Sequence, residues 1–272
     1  MRENSNLTAP PTDSAIERGD SIGVPQTYAR LLILVCTYNE RETLPQLVDQ
    51  IQSVIPHADL LVVDDHSPDG TANWVRQRQE DDLRVQLIER SGKLGLGTAI
   101  RDGMLYAIAN NYTWIINVDG DLSHDPIVMK TMVAQQDSCD LAIGSRYVPG
   151  GGMVGCSWRR ILVSRLANTL ARWIVGWSIS DCSSAYRMYR VDCLKAVQLH
   201  ALKETGYGFL EEVLAHLIRV GAKVNEVPII YQERRLGQSK ISLREGYSAL
   251  SALFRCARIL RAPREESASG LS

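Results

Sequence analysis

The stretch Val118 to Pro126 reads VDGDLSHDP, with two carboxylates, Asp119 and Asp121, on either side of Gly120. Like charges this close repel unless solvent, hydrogen bonds or a cation compensates them. Two carboxylates are a common protein share of a Mg²⁺ or Mn²⁺ site whose other ligands are water and substrate phosphates. A solvated turn is the plainer reading of a lone DxD. Gly120 leaves room for a ligand to lie close to the backbone. Asp125 precedes Pro126, fits a helix cap and is left out of the metal set. The second half of the chain supplies cations: Arg146, Arg160 and Arg165 around the loop Pro149 to Gly152, then Arg234, Arg235 and Lys240 in RRLGQSK. Any one of them alone reads as a solvated surface charge. Arginine, however, grips phosphate bidentately, and lysine binds it as a point charge. The Gly-rich RSGKLGLG of Arg90 to Gly97 lacks the GxxxxGK[ST] order of an ATPase loop. The first strand leads into TYNE and not GxGxxG, which argues against a dinucleotide fold. What is left is a metal-held nucleotide diphosphate with a second anion nearby, the requirement of a nucleotide-sugar transferase with a phosphate-bearing acceptor.

Several elements must converge to place these residues. Apolar runs at Ala29 to Cys36, Asp59 to Val63, Val85 to Ile88, Tyr112 to Val118 and Asp140 to Gly144 predict strands buried on both faces. Helical spacing predicts helices over Glu42 to Ile55, Thr71 to Glu80, Thr98 to Asn110 and Pro126 to Gln136. Strand and helix alternate from residue 29 to 144, the mark of a mostly parallel α/β sheet with helices on both faces. Ligands of such sheets bind at the carboxyl ends of the strands. Thr37 to Glu40, Asp64-Asp65, Asp119 to Asp121 and Ser145-Arg146 all fall there.

After residue 144 the pattern changes. Pro149 to Gly152 predicts a flexible loop. Trp158 to Trp177 predicts a helix that is either a core helix with a solvated basic face or one lying at a membrane surface. Further helices are expected at Val191 to Leu202 and Phe209 to Val220, and a strand at Lys223 to Tyr231. Ile241 to Arg261 predicts a second basic amphipathic helix. The expected organisation is a disordered arm over 1–28, one domain over 29–243 (a nucleotide half to 144, an acceptor half beyond), and a C-terminal amphipathic helix with a frayed tail over 244–272.

The 272 residues carry a net charge of −1, so no global basic field argues for nucleic acid. Six scattered cysteines form no CxxC pair, which argues against a zinc site or disulfide framework and for a reducing compartment. No stretch approaches the ~20 apolar residues of a spanning helix, so membrane contact is expected to be peripheral or through a partner.

Eight motifs in order carry a resemblance: VCTYNE (35–40), VVDDHSPDGT (62–71), GKLGLGTA (92–99), VDGDLSHDP (118–126), GSRYVPGGG (144–152), DCSSAYRMYR (181–190), GYGFLEE (206–212) and EVPIIYQERRLGQSK (226–240). Together the chain resembles the family-2, GT-A-fold glycosyltransferases, and among them the dolichol-phosphate (polyprenol-phosphate) mannose synthases. The resemblance implies an α/β GT-A sheet with amphipathic interface helices near its C-terminus, and transfer of mannose from GDP-mannose to a polyprenyl phosphate with inversion. It implies donor contacts from Thr37, Tyr38, Glu40, Val63, Asp65, Gly120, Arg234 and Lys240. Metal contacts fall to Asp119, Asp121 and Ser123 (with Mg²⁺ or Mn²⁺), and acceptor-phosphate contacts to Arg146, Arg160 and Ser164. Asp121, Arg146 and Lys240 carry the chemistry in this reading. The attacking phosphate oxygen is already anionic near neutral pH, so no general base is required. His66 and His124 are the nearest acid-base candidates in sequence. The implied location is the cytosolic face of a membrane, with a membrane subunit as a further partner. UDP-glucose as donor, or a silent scaffold of the same fold, are the competing readings.

Overall fold

The computed structural model describes residues 30–262 apart from Lys203, Tyr207 and 234–242. The expected N-terminal arm, the tail beyond Ala262, Arg234, Arg235 and Lys240 lie outside the described residues.

Along the chain run β1 (Leu31–Thr37), α1 (Leu44–Val54), β2 (Asp59–Asp64), α2 (Thr71–Asp81), β3 (Val85–Glu89), α3 (Leu96–Ala109), β4 (Trp114–Asp119), α4 (Val128–Val133) and β5 (Leu141–Ser145). Then follow β6 (Gly152–Val154), α5 (Trp158–Val175), β7 (Arg187–Arg190), α6 (Val191–Lys195), a 3-10 turn (Leu199–Ala201), α7 (Gly208–Arg219), β8 (Val224–Pro228), β9 (Ile230–Gln232) and α8 (Leu243–Arg261). Seven strands form one sheet in the order β3-β2-β1-β4-β7-β5-β8. Every pairing is parallel except those of β7, which runs antiparallel between β4 and β5. A separate parallel ladder joins β6 to β9.

Alternation along β1 divides the core. Leu32 and Leu34 face α3, α5, α6, α7 and α8, while Leu31, Ile33 and Val35 face α1, α2 and α4. Both sheet faces are covered, which is why β1, β2, β4 and β5 are apolar almost throughout.

Several expectations are corrected. The loop at Pro149 to Gly152 ends in β6, because Gly152 pairs with Ile230. The strand expected over Lys223 to Tyr231 is two strands in different sheets. The helix expected over Val191 to Leu202 stops at Lys195 and resumes as the 3-10 turn, with Val197 turned inward. The helix expected from Pro126 to Gln136 is α-helical only over Val128–Val133 and is flanked by tighter turns. The C-terminal helix is no appendage: Ala252, Cys256 and Ala257 of α8 are buried, and Cys256 joins the main core.

Of the two readings of Trp158 to Trp177, the core helix is overturned. Its buried face is narrow (Asn168, Ala171, Val175), whereas the larger apolar side chains Trp158, Leu162, Val163, Leu166, Leu170 and Trp173 are exposed. The exposure reaches 82% at Trp173. Among the described residues no helix is long and apolar enough to cross a membrane.

Candidate active site

The strand ends converge as the crevice rule requires. Parallel register sets Cys36 beside Val63 and Asp119, so the turns after β1, β2 and β4 open on one edge. Three of the four non-glycine residues with positive φ among the described residues sit in those turns: Asn39 (61°), His66 (59°) and Leu122 (60°). A leucine in the left-handed region is strained. Here it lets the chain reverse so that Asp119, Asp121 and Ser123 share one small loop.

Asp121 is buried, and its Oδ1 accepts the Ser123 N–H at 3.0 Å. Ser123 is buried as well, and its Oγ has no hydrogen-bond partner among the described residues. His124 Nε2 lies 3.6 Å from Asp119 Oδ2, and its Nδ1 is buried without a partner. The burial of Cys36 pushes its thiol pKa well up, reinforced by Asp119. No group of three or more His, Cys, Asp or Glu side chains is arranged to enclose a metal among the described residues. Two carboxylates and an unsatisfied hydroxyl suit a hard cation that takes its remaining ligands from water and substrate oxygens. The donor set fits Mg²⁺ or Mn²⁺ in that sense.

On the nucleotide side, Thr37 Oγ1 donates to Asp64 Oδ1 at 2.8 Å, and the Ser67 N–H donates to Asp64 Oδ2 at 2.8 Å. Asp64 is therefore a structural tie between strand ends. Asp65, buried, pairs with Arg90 and accepts the Gly95 N–H at 3.0 Å. Each of its oxygens keeps a further lone pair that can accept. Tyr38 is half exposed, with Lys93 Nζ 3.8 Å from its ring centre. Thr43 Oγ1 lies 2.9 Å from Glu40 Oε2 and 2.8 Å from the Gly120 carbonyl, fastening TYNE to the DGD turn.

Two donor-side expectations change. Val63 is fully buried in the core and has no accessible surface for a base or ribose; it supports the crevice from beneath. A Cβ on Gly120 would meet Thr37 Cγ2 at 3.3 Å and Glu40 Cγ at 3.4 Å. The missing side chain therefore admits close packing against β1 and its turn rather than opening space for ligand. Asp125 Oδ1 accepts the Ile127 N–H at 2.9 Å, so it ties the tight turn before α4, while the helix itself has no side-chain cap.

Arg146 and Arg160 gather around two tyrosines. Arg146 and Arg160 each lie 5.8 Å from the Tyr231 ring centre, and Tyr147 donates its hydroxyl to Ser164 Oγ at 2.6 Å. His124 packs edge-on to the same Tyr231 ring at 5.6 Å, and the Gln232 N–H donates to the Ser123 carbonyl at 3.0 Å. Through β9 these two arginines and the acidic turn thus adjoin one another.

Arg146 is held hard. Its Nε donates to Asp181 Oδ2 and its Nη2 to Asp181 Oδ1, both at 2.7 Å, and Nη2 also reaches Ser183 Oγ at 2.8 Å. Burial would lower the Arg146 pKa, but the Asp181 carboxylate reverses this and raises it. No hydrogen bond from its Nη1 is made among the described residues. Asp181 is fully buried and is itself fixed from β8, where Glu226 accepts the N–H groups of Ser180 (2.8 Å) and Asp181 (3.0 Å). Asn168 of α5 completes the frame, accepting the Cys182 N–H at 3.0 Å and donating to Ser183 Oγ at 3.1 Å. Arg160 pairs with Glu233 at 2.5 Å.

Residues 32–198 match the family described as Glycosyl transferase family 2. The chain belongs to that family. Among curated relatives, the undecaprenyl-phosphate mannosyltransferase of Micrococcus luteus is 38% identical over 78% of this chain and 88% of its own length. The polyprenol monophosphomannose synthase of Mycolicibacterium smegmatis is 39% identical over 84% of this chain and 86% of its own. Among solved structures, the glucosyl-3-phosphoglycerate synthase of Mycobacterium tuberculosis with Mn²⁺ and UDP superposes with a TM-score of 0.61, at 18% identity, over 90% of this chain and 84% of that one. That likeness is one of fold and supports the GT-A architecture. This family-2 glycosyltransferase is thus an enzyme by descent, and its acids and arginines meet where its fold class places ligands.

Asp181, Glu226 and Asn168 appear in the sequence only inside motifs or helices, with nothing in their spacing to mark them as supports of Arg146. Arg90 is likewise a buried partner of Asp65 that no periodicity announces.

Proposed function

We propose that the enzyme transfers mannose from GDP-mannose to a polyprenyl phosphate, giving polyprenyl β-mannosyl phosphate and GDP, at the cytosolic face of a membrane. The observation that carries this reading is the pair of relatives at 38% and 39% identity, both named for mannose transfer to a polyprenyl phosphate. The gathering of Arg146, Arg160 and Ser164 beside the acidic turn supports it chemically.

In this reading the donor diphosphate lies over the turn Asp119 to Ser123. A divalent cation bound there supplies charge neutralisation of the leaving diphosphate. Tyr38, Glu40 and Asp65 hold the nucleoside end. Arg146 offers Nη1 to the acceptor phosphate while Asp181 fixes the plane of the guanidinium, so little freedom is lost when the acceptor binds. Arg160 and Ser164 complete the cradle. The phosphate oxygen attacks the anomeric carbon as the bond to the diphosphate breaks. No proton needs removal, because that oxygen is already anionic near neutral pH. Arg234 and Lys240 are assigned to the departing diphosphate. The exposed apolar stripe of α5 faces the bilayer that carries the acceptor.

The test is transfer of label from GDP-mannose and, separately, UDP-glucose to polyprenyl phosphate, with and without Mg²⁺ or Mn²⁺. Metal-dependent mannolipid formation is expected. Labelled lipid from UDP-glucose alone would replace the sugar assignment, and no lipid product from either donor would overturn the reaction.

A further inference from the structure

Beside the acceptor cradle lies a second basic cleft. A cavity of about 450 Å³ separates the loop 146–151 from α5 and is lined by Arg146, Arg165, Asn168, Thr169, Arg172 and Ser180 with the loop itself. Arg160 and Ser164 do not line it. The charge balance also differs. Arg146 is neutralised by Asp181 and Arg160 by Glu233, but among the described residues no carboxylate pairs with Arg165 or Arg172. Two uncompensated guanidinium groups at one cavity favour an anion, and the planar fork of arginine suits phosphate oxygens.

The place of the cleft on α5 indicates the source of that anion. At about 100° per residue, Arg165, Thr169 and Arg172 form a line between the buried Asn168, Ala171 and Val175 and the exposed Leu162, Leu166 and Trp173. An interfacial helix sinks its apolar stripe to the acyl boundary and keeps arginines at the level of the headgroups. We propose that this cleft binds the phosphate of an anionic phospholipid headgroup, separate from the acceptor phosphate, and so seats α5 on the bilayer beside the acceptor cradle. The inference rests on the reading of α5 as bilayer-facing. Free phosphate shares the chemistry, and the test separates the two.

The full chain is titrated with phosphatidylcholine vesicles and with vesicles mixing in phosphatidylglycerol, and its partitioning is measured. Wild type should prefer the anionic vesicles. Arg165→Gln/Arg172→Gln should weaken that binding roughly tenfold or more, the scale of two basic residues near a charged surface. Arg159→Gln removes a charge from the same helix outside the cleft and should have the smaller effect. Equal losses for Arg159→Gln and Arg172→Gln would reduce the effect to general charge and overturn the cleft. If inorganic phosphate alone shifts the tryptophan fluorescence of wild type but not of Arg172→Gln, and vesicle composition makes no difference, the lipid assignment fails. Binding needs no turnover, so a flat vesicle result leaves the mannose-transfer assay standing, and failure of that assay leaves the vesicle result standing.

Discussion

The two halves of the fold, to which the proposed function gives the donor and the acceptor, position their charges in opposite ways. From Leu31 to Ser145 the functional acids stand at the ends of parallel strands, and their setting comes from sheet register and nearby backbone. Beyond Ser145 the functional groups are arginines steadied by acids from remote parts of the chain: Arg146 by Asp181, 35 residues away, and Arg160 by Glu233, 73 away. In the proposed reading Asp119 and Asp121 serve a cation. The arginines of the acceptor half have their charge partly cancelled and contribute orientation above all. Truncation should therefore remove charge stabilisation in one half and geometry in the other.

The largest effect is expected at the acidic turn. Asp121→Ala or Asp119→Ala should lower metal-dependent transfer roughly 10²- to 10³-fold, the scale of losing one electrostatic stabiliser, with the melting curve little changed. Retained activity would remove the metal from these residues. Next comes Asp181→Ala, which breaks a buried pair and should cost about 3 kcal/mol of stability on denaturant titration. Asp181→Asn keeps the shape and should mainly raise KM for the lipid acceptor, leaving KM for the nucleotide sugar unchanged. If both constants move together, Asp181 is a fold residue and the contrast between halves collapses. Arg160→Ala, at a half-exposed pair, should raise the acceptor KM by about tenfold, the scale of one charge-assisted hydrogen bond, and the donor KM by less. Equal changes would refute its place in the acceptor cradle.

The smallest effect on catalysis is expected at Glu211, behind the acceptor half. Burial pushes its carboxyl up to about 7, against the pull of Arg187. The unfolded chain releases that proton near the ordinary value of about 4.3. The folded state thus binds more protons between the two values, and stability contributed by neutral Glu211 is lost as pH rises through that window. Glu211→Gln should flatten the decline, which is worth up to about 1.4 kcal/mol per pH unit. Denaturant midpoints across the window measure it, and an unchanged slope would assign the titration elsewhere.

The donor half was the legible one. β1, β2 and β4 are short apolar runs between turn residues, and burial on both faces leaves nothing else for them to be. The DGD turn could be read because two acids after such a strand need a reason. The role of Gly120 could not, since only the packed neighbours Thr37 and Glu40 show that its small size serves the fold. In the acceptor half, β7 escaped because RMYR carries two arginines and looks like surface. Yet Arg187 is fully buried, donating its guanidinium hydrogens to the carbonyls of Cys182, Ser184 and Leu210. Asp181 and Glu226 were invisible for the same reason: a long-range ion pair, or a carboxylate bound to distant backbone N–H groups, leaves no period. The outward turn of the α5 apolar stripe depends on what else covers the sheet, and α3, α6, α7 and α8 already do.

One contact joins the halves without any charge. Gly97 of α3 approaches α7 so closely that an added Cβ would stand 2.6 Å from Phe209 Cβ and from the Gly206 carbonyl oxygen. A single methyl there acts as a wedge at the seam, at a cost of about 1–3 kcal/mol for overpacking. Gly97→Ala is thus a mechanical perturbation that removes no polar side chain, and any coupling of donor and acceptor constants it produces measures how stiffly one half is hinged to the other.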